Sequence, residues 1–336
     1  MNRDHTDETE DDGVEALLRQ VGARDEPSAA AMDEVRQAVH AEWRAVVAQR
    51  KRQRRTLTFG IAASIALVAI VASWVLRFAA PEPGIELTVA RIEGQGPLVT
   101  ARGEPTRALL MGESISVGAA LSTDDATRIA LQYGAGTSVR IDRNSTIERV
   151  APDRFLLSAG AVYVDAHPQV AADASLVIET RAGEVRHLGT QYQVRQSPET
   201  VEVSIREGRV EIVRTNGAAL ASAGERVRIT PGDEIERSVI SAQDPDWAWA
   251  EAAAPSFEIH DRTLAEFLEW AARETGRQVV YASREAQRAA ETLKLRGSVA
   301  GLDPETALTA VLSTTEFARY EAGNELIGVR LAGPAD

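Results

Sequence analysis

The stretch Val201-Glu-Val-Ser-Ile-Arg-Glu-Gly-Arg-Val-Glu-Ile212 alternates apolar and polar residues on both sides of Glu207-Gly208. A period of two marks a strand with one buried face. With Glu207-Gly208 as a two-residue turn, Arg206 faces Arg209, Ile205 faces Val210 and Val203 faces Ile212, which predicts a hairpin whose apolar residues share one side. Burial sets that register, because a slip of one residue would turn every apolar side chain outward. Similar short runs recur upstream between Gly, Asp and Asn: Ser114-Ile-Ser-Val117, Arg128-Ile-Ala-Leu131, Ser138-Val-Arg-Ile141, Ala161-Val-Tyr-Val164, Leu176-Val-Ile-Glu179 and Tyr192-Gln-Val194. This spacing predicts an all-β sandwich or roll over residues 85–240.

Downstream the pattern changes. Thr263 with Glu266 forms a capping box ahead of Leu264, Phe267, Leu268 and Ala271, which share a helix face that Gly276 can close. Asp303 and Pro304 open a second helix carrying Leu308, Val311 and Leu312. Strand-like runs lie at 278–282, 292–295, 317–320 and 325–329, so a small α+β domain of two strand-helix-strand halves is predicted over 255–332. Trp247 and Trp249 stand just ahead of it and are expected to pack at the interface between the two domains.

Upstream, Leu57 to Leu76 (LTFGIAASIALVAIVASWVL) holds no charged side chain. About 20 residues at a rise of about 1.5 Å match the bilayer's hydrocarbon thickness, so residues 57–78 are predicted to form one transmembrane helix. Arg50-Lys51-Arg52-Gln53-Arg54-Arg55 precedes it and only Arg77 follows before Pro81. The positive-inside rule then places residues 1–56 in the cytoplasm and the remainder outside. Within 1–56, Met32, Val35, Val39, Trp43 and Val46 fall on one helical face. A segment this small cannot bury the stripe alone, so it packs on the short helix before it or on a partner.

Composition narrows the function. Over 336 residues, 37 basic against 50 acidic side chains leave a net charge of −13, of which residues 1–56 (10 basic, 12 acidic) contribute only −2. A general nucleic-acid binder needs the opposite excess. The absence of cysteine removes disulfide scaffolds, thiolate metal sites and a Cys nucleophile. The five histidines show no paired metal-ligand spacing, and neither a nucleophile elbow nor a phosphate loop is present; Gly134-Ala-Gly-Thr-Ser138 reads as a hairpin loop. Asp124-Asp125 reads as a solvated turn rather than an acid–base pair. No enzymatic activity, cofactor or metal is expected.

His187-Leu188-Gly189-Thr190-Gln191-Tyr192-Gln193-Val194, running into 201–212 and preceded by Ser158-Ala-Gly-Ala-Val-Tyr-Val164, resembles the FecR family. Its periplasmic domain shows an L-G-T-x-aromatic-x-V strand followed by V-x-V-x-x-G-x-V. His187, Leu188, Gly189, Thr190, Tyr192, Val194, Glu207 and Gly208 carry the likeness, and all read as residues that maintain the fold. Residues 257–329 look like an STN (secretin and TonB-receptor N-terminal) domain, notably at Leu295-Arg-Gly-Ser-Val299 and 304–312. Many relatives carry Trp-x-x-Gly ahead of that unit, whereas Asp246-Trp-Ala-Trp-Ala250 keeps the tryptophans without the glycine. The resemblance implies a single-pass protein of the bacterial inner membrane with a periplasmic C-terminus. Its partners would be an extracytoplasmic-function sigma factor, contacted by the helix around Trp43, and often a TonB-dependent outer-membrane receptor. It leaves open clustering, segment release and regulated proteolysis as modes of signalling. The alternative is an anchored envelope scaffold that binds glycan or a secretion component, with Trp247 and Trp249 as a stacking platform.

Overall fold

The computed structural model describes residues 85–332 apart from 95, 135, 168–175, 188 and 233, together with Met32, Asp33, Arg36 and Trp43, which are helical. The chain divides into two units, Met1–Glu82 and Pro83–Asp336. The predicted span 57–78 lies outside the described residues, and among those described no helix is long and apolar enough to cross a membrane.

The strands are β1 (Leu87–Glu93), β2 (Leu98–Thr100), β3 (Arg107–Ala108), β4 (Ala120–Ser122), β5 (Arg128–Tyr133), β6 (Thr137–Ile141), β7 (Thr146–Ala151) and β8 (Arg154–Ala166). They continue as β9 (Val177–Thr180), β10 (Gly183–His187), β11 (Gln191–Gln196), β12 (Val201–Glu207), β13 (Arg209–Arg214), β14 (Gly217–Ser222), β15 (Glu225–Ile229) and β16 (Ile235–Val239). One sheet runs β1-β5-β6-β8-β11-β12-β15-β16, antiparallel throughout. The other runs β3-β2-β4-β7-β8-β9-β10-β13-β14, with β8 and β9 parallel. A single core joins them, with Leu131, Val139, Val162, Val194 and Val203 from the first sheet and Ile147, Phe155, Ile178, Val185 and Ile212 from the second.

β8 belongs to both sheets and bends at Gly160, whose φ is +86°. A β-carbon there would come within 2.1 Å of Ser145 Oγ, so only glycine lets the strand turn the corner. The second corner corrects the hairpin expected at 201–212. β12 and β13 are not partners: Val203 pairs with Val194 and Val227, and Ile212 with Val185 and Ala219. Gly208, at φ +78°, carries the chain from one sheet into the other. The burial that the alternation implies does hold, since Val203, Ile205, Val210 and Ile212 all enter the core. They enter it from facing sheets, an outcome that a period of two cannot distinguish from a hairpin.

The run 114–117 is not a strand; Ser114 makes one bridge to Thr88, and Ile115 donates its amide to Leu87 O at 2.8 Å. The loop at 134–138 does close a hairpin, with Tyr133 opposite Thr137.

The C-terminal α+β region opens with a 3-10 turn (Pro245–Trp247) and α1 (Ala248–Ala252), followed by α2 (Leu264–Thr275) and β17 (Gln278–Tyr281). It ends with α3 (Arg284–Thr292), α4 (Pro304–Ser313), β18 (Phe317–Tyr320) and β19 (Leu326–Leu331). Its sheet is ordered β17-β19-β18, with β17 parallel and β18 antiparallel to β19. The capping box holds: Glu266 N donates to Thr263 Oγ1 at 3.1 Å and Thr263 N to Glu266 Oε2 at 2.7 Å. Gly276 ends α2 at φ +64°, and Asp303 caps α4 through the Glu305 and Thr306 amides. The strand expected at 292–295 is absent: Thr292 ends α3, and only Lys294 makes a bridge, to Thr263. α3 buries just Ala286 and Ala290, too small an apolar signal to betray a helix. The two strand-helix-strand halves are therefore replaced by a helix (α2), one strand (β17), two further helices (α3 and α4) and a closing hairpin.

Gly208→Ala is expected to lower the β domain's stability by more than about 1 kcal/mol, because it adds a contact of 2.5 Å with Gly189 O to an unfavourable φ. Urea unfolding checks this, with Gly103→Ala, also at positive φ but with open space around it, showing the smaller loss from strain alone.

Candidate functional site at the junction of sheet and helix

The first sheet's outward-facing residues are polar, as alternation demands, yet they are buried. Arg140 on β6 and Tyr163 on β8 are fully inaccessible, and Gln193 on β11 and Arg206 on β12 nearly so. Two elements cover them: the segment from Ile240 through α1, and the C-terminal end of α2. Ala161, Tyr163, Ile240, Trp247, Trp249 and Ala250 form a second apolar cluster on this face. Trp247 and Trp249 meet the Tyr163 ring edge-on at 6.0 and 6.5 Å. Each indole N–H has an acceptor, Ser241 O at 2.8 Å and Gln193 Oε1 at 2.6 Å respectively. Arg140 lies over Tyr163 and Arg206 over Trp247, at 5.0 and 5.5 Å, a cation–π arrangement strengthened by the loss of water. The expected interface packing of the tryptophans is what the structure shows. With both indoles buried, they cannot serve as a stacking platform for sugar rings.

The last carbonyls of α2 lack partners within the helix and carry the negative end of its dipole. Side chains of the β domain and its trailing segment satisfy them. Gln191 Nε2 donates to Arg273 O at 3.2 Å, Arg206 Nη1 to Glu274 O at 2.9 Å and Gln243 Nε2 to Gly276 O at 2.5 Å. Gly276 is required twice over, since a β-carbon would also press within 2.5 Å of Arg206 Nε. Arg206 further binds Ala242 O at 2.7 Å and Glu251 Oε1 at 2.6 Å. At the centre, Arg140 pairs with Glu274 at 2.7 Å, lies 3.8 Å from Asp165 and donates to Ala250 O at 2.8 Å. Arg273 bridges Asp165 and Glu207. At β1, Arg91 donates to the carbonyls of Ala254, Gly301 and Leu302.

Burial pushes the Glu274 carboxyl above the usual range; Arg140 opposes that shift, and the nearby Asp165 charge adds to it. Burial likewise raises the Tyr163 phenol. A buried ion pair of this kind adds little net stability over a well-packed apolar pair, because both charges lose their water, but removing one partner strands the other.

The family-motif residues gather around the Gly208 corner, and Glu207 reaches from there to Arg273 of the junction. Gly189 takes φ +69°, and its carbonyl occupies the space a β-carbon on residue 208 would need. Thr190, Tyr192 and Val194 are buried. His187 stacks on Tyr192 at 5.9 Å and accepts the Leu176 amide on Nε2 at 3.1 Å. Glu207 is exposed and pairs with Arg273 at 3.0 Å. Leu188 lies outside the described residues, as do Val35, Val39 and Val46. Met32 and Trp43 are each more than half exposed. Asp124 accepts the Ala126 amide at 3.0 Å in an exposed turn. Among the described residues no group of three or more His, Asp or Glu could hold a metal ion. No motif in the sequence points to the junction residues Arg140, Glu274, Asp165 and Arg206, because a polar residue on a strand's outer face carries no mark of what covers it.

Residues 119–211 match the family described as FecR protein, so the β-rich region of this chain contains a FecR domain. Two crystal structures of "a putative anti-sigma factor" from Parabacteroides distasonis ATCC 8503 are similar. One is 16% identical over 64% of this chain and 99% of its own, the other 17% over 62% and 97%, each with a TM-score of 0.34. No curated protein matches.

Glu274→Leu, which leaves Arg140 buried with a weakened partner set, is expected to destabilise the docked form by about 3–5 kcal/mol, and Arg140→Leu with Glu274→Leu to recover most of that. Chemical unfolding of the two variants and the parent tests both. Because the Glu274 pKa is raised on folding, its contribution is fully present below the ordinary Glu value and is lost as pH rises through the folded value. Protease sensitivity of the 241–263 connection should thus increase with pH, and Glu274→Gln should flatten that dependence.

Proposed function

We propose that the protein is a single-pass regulator of an extracytoplasmic-function sigma factor, seated in a bacterial inner membrane. The observation that carries the reading is the FecR domain at 119–211, which follows an uncharged 20-residue stretch flanked by a basic cluster. Residues 1–56 are the cytoplasmic segment, 57–78 the membrane helix, 85–240 the FecR-like domain and 255–332 an STN-like domain. The stripe of Met32, Val35, Val39, Trp43 and Val46 docks on the sigma factor, in the manner of an amphipathic helix in an apolar groove. A TonB-dependent outer-membrane receptor supplies the signal on the periplasmic side. The chain needs no chemistry for this: a signal need only shift the balance between bound and free sigma factor. A signal that parts the buried junction would give the periplasmic region a released state alongside the docked one.

Detergent-solubilised full-length chain is expected to capture an extracytoplasmic-function sigma factor from the same organism. Trp43→Ala should weaken that capture about tenfold or more, as loss of an aromatic anchor does. Calorimetry that finds no binding, or binding indifferent to Trp43, overturns the proposal.

A further inference from the structure

Large apolar side chains are exposed at few described positions, and three of them, Leu110, Met111 and Val117, fall in the one connection between β3 and β4. Leu110-Met111 is the tip of a turn and is built to stay there. Arg107 grips Glu113 with both guanidinium arms, Glu113 Oε2 accepts the Leu110 amide at 3.1 Å, and Glu113 N donates to Leu110 O at 3.2 Å. Gly112, at φ +74°, closes the turn. The turn is hydrogen-bonded to β1, Gly112 N to Val89 O at 2.9 Å and Ile115 N to Leu87 O at 2.8 Å. Arg149 then ties the carbonyl of Ile115 to that of Ile85, at 2.5 and 2.8 Å. Leu110 and Met111 are thus two adjacent large apolar residues that a hydrogen-bonded turn holds in water.

The chain itself indicates the cover. β1 is the first described strand after the apolar stretch, and only residues 79–84 lie between the span 57–78 and Ile85. At about 3.5 Å per residue this tether holds Ile85 within about 25 Å of the end of the span, and the turn sits about four strand residues, roughly 13 Å, further along. We propose that Leu110-Met111 rests in the outward-facing leaflet of the bilayer that residues 57–78 cross. The inference rests on the membrane reading given under Proposed function. It assigns the β domain a fixed seat on the lipid surface, with the apolar tip immersed and Arg102 and Arg107 placed near the headgroups.

The sequence has no cysteine, so Met111→Cys or Leu110→Cys can carry a single environment-sensitive fluorophore on the full-length chain. The chain is reconstituted in vesicles of phosphatidylethanolamine and phosphatidylglycerol, with Glu321→Cys in the C-terminal region as the reference. The expected result is blue-shifted emission at 110 and 111, lost when a headgroup-proximal quencher lipid is included, with water-like emission at 321. Flotation and resistance to alkaline extraction report the span separately. Water-like emission at 110 and 111 from a chain that floats overturns the proposal and leaves the membrane reading intact. Blue-shifted emission that lipid does not quench overturns it too, and points to a second copy of the chain where the signal scales with protein density. A chain that does not float fails the membrane reading, and the proposal with it.

Discussion

A sheet face made of charged and polar side chains is kept out of water, and the arrangement of the β domain and the C-terminal region follows from it. Arg140, Tyr163, Asp165, Gln193 and Arg206 face away from the sandwich core, and each would be well solvated if that face were bare. The C-terminal end of α2 and the segment bearing Trp247 and Trp249 remove the water and must replace it group for group. They do so with Glu274, Glu251 and a row of carbonyls, and the arginines in turn satisfy the otherwise unpartnered end of a helix. Failure of one partner is costly because the remaining charge has no water to return to. The C-terminal region is therefore held in one orientation by many mutually dependent contacts.

The sandwich beneath is shaped by where its strands bend. Gly160 and Gly208 each stand where atoms of a residue just outside another strand, Ser145 for the first and Gly189 and Thr190 for the second, occupy the space of a β-carbon. The first lets β8 serve both sheets; the second passes the chain from β12 to β13. The family-motif residues sit around the second corner, with Gly189 against Gly208 and His187 stacked on Tyr192. Their importance is architectural: they close the sandwich that presents the polar face to α2.

Much of this is legible from residue order. The strands at 128–131, 138–141, 161–164 and 192–194, the capping box at Thr263 and the cap at Asp303 follow from local rules, because alternation and capping are properties of a few neighbouring residues. The fate of 201–212 is not recoverable in that way. Two apolar runs flanking a glycine are compatible with pairing to each other or with facing each other across a core, and only the remaining strands decide which. α3 is invisible because its buried face is two alanines. The junction is hidden for a different reason: outward polar residues on a strand look the same whether water or another domain covers them.

Composition and spacing along the chain suffice for the all-β character of 85–240, a small α+β unit after it, an uncharged stretch of membrane-spanning length with its basic flank, and the absence of any cysteine chemistry. Each of these is a property of residues close together in the chain. Which strands pair, that Gly208 is a corner, and that Arg140 and Glu274, 134 residues apart, form the buried centre of the junction emerge only in three dimensions. Contacts of that separation arise from the packing of whole elements, and no periodicity of either segment specifies them.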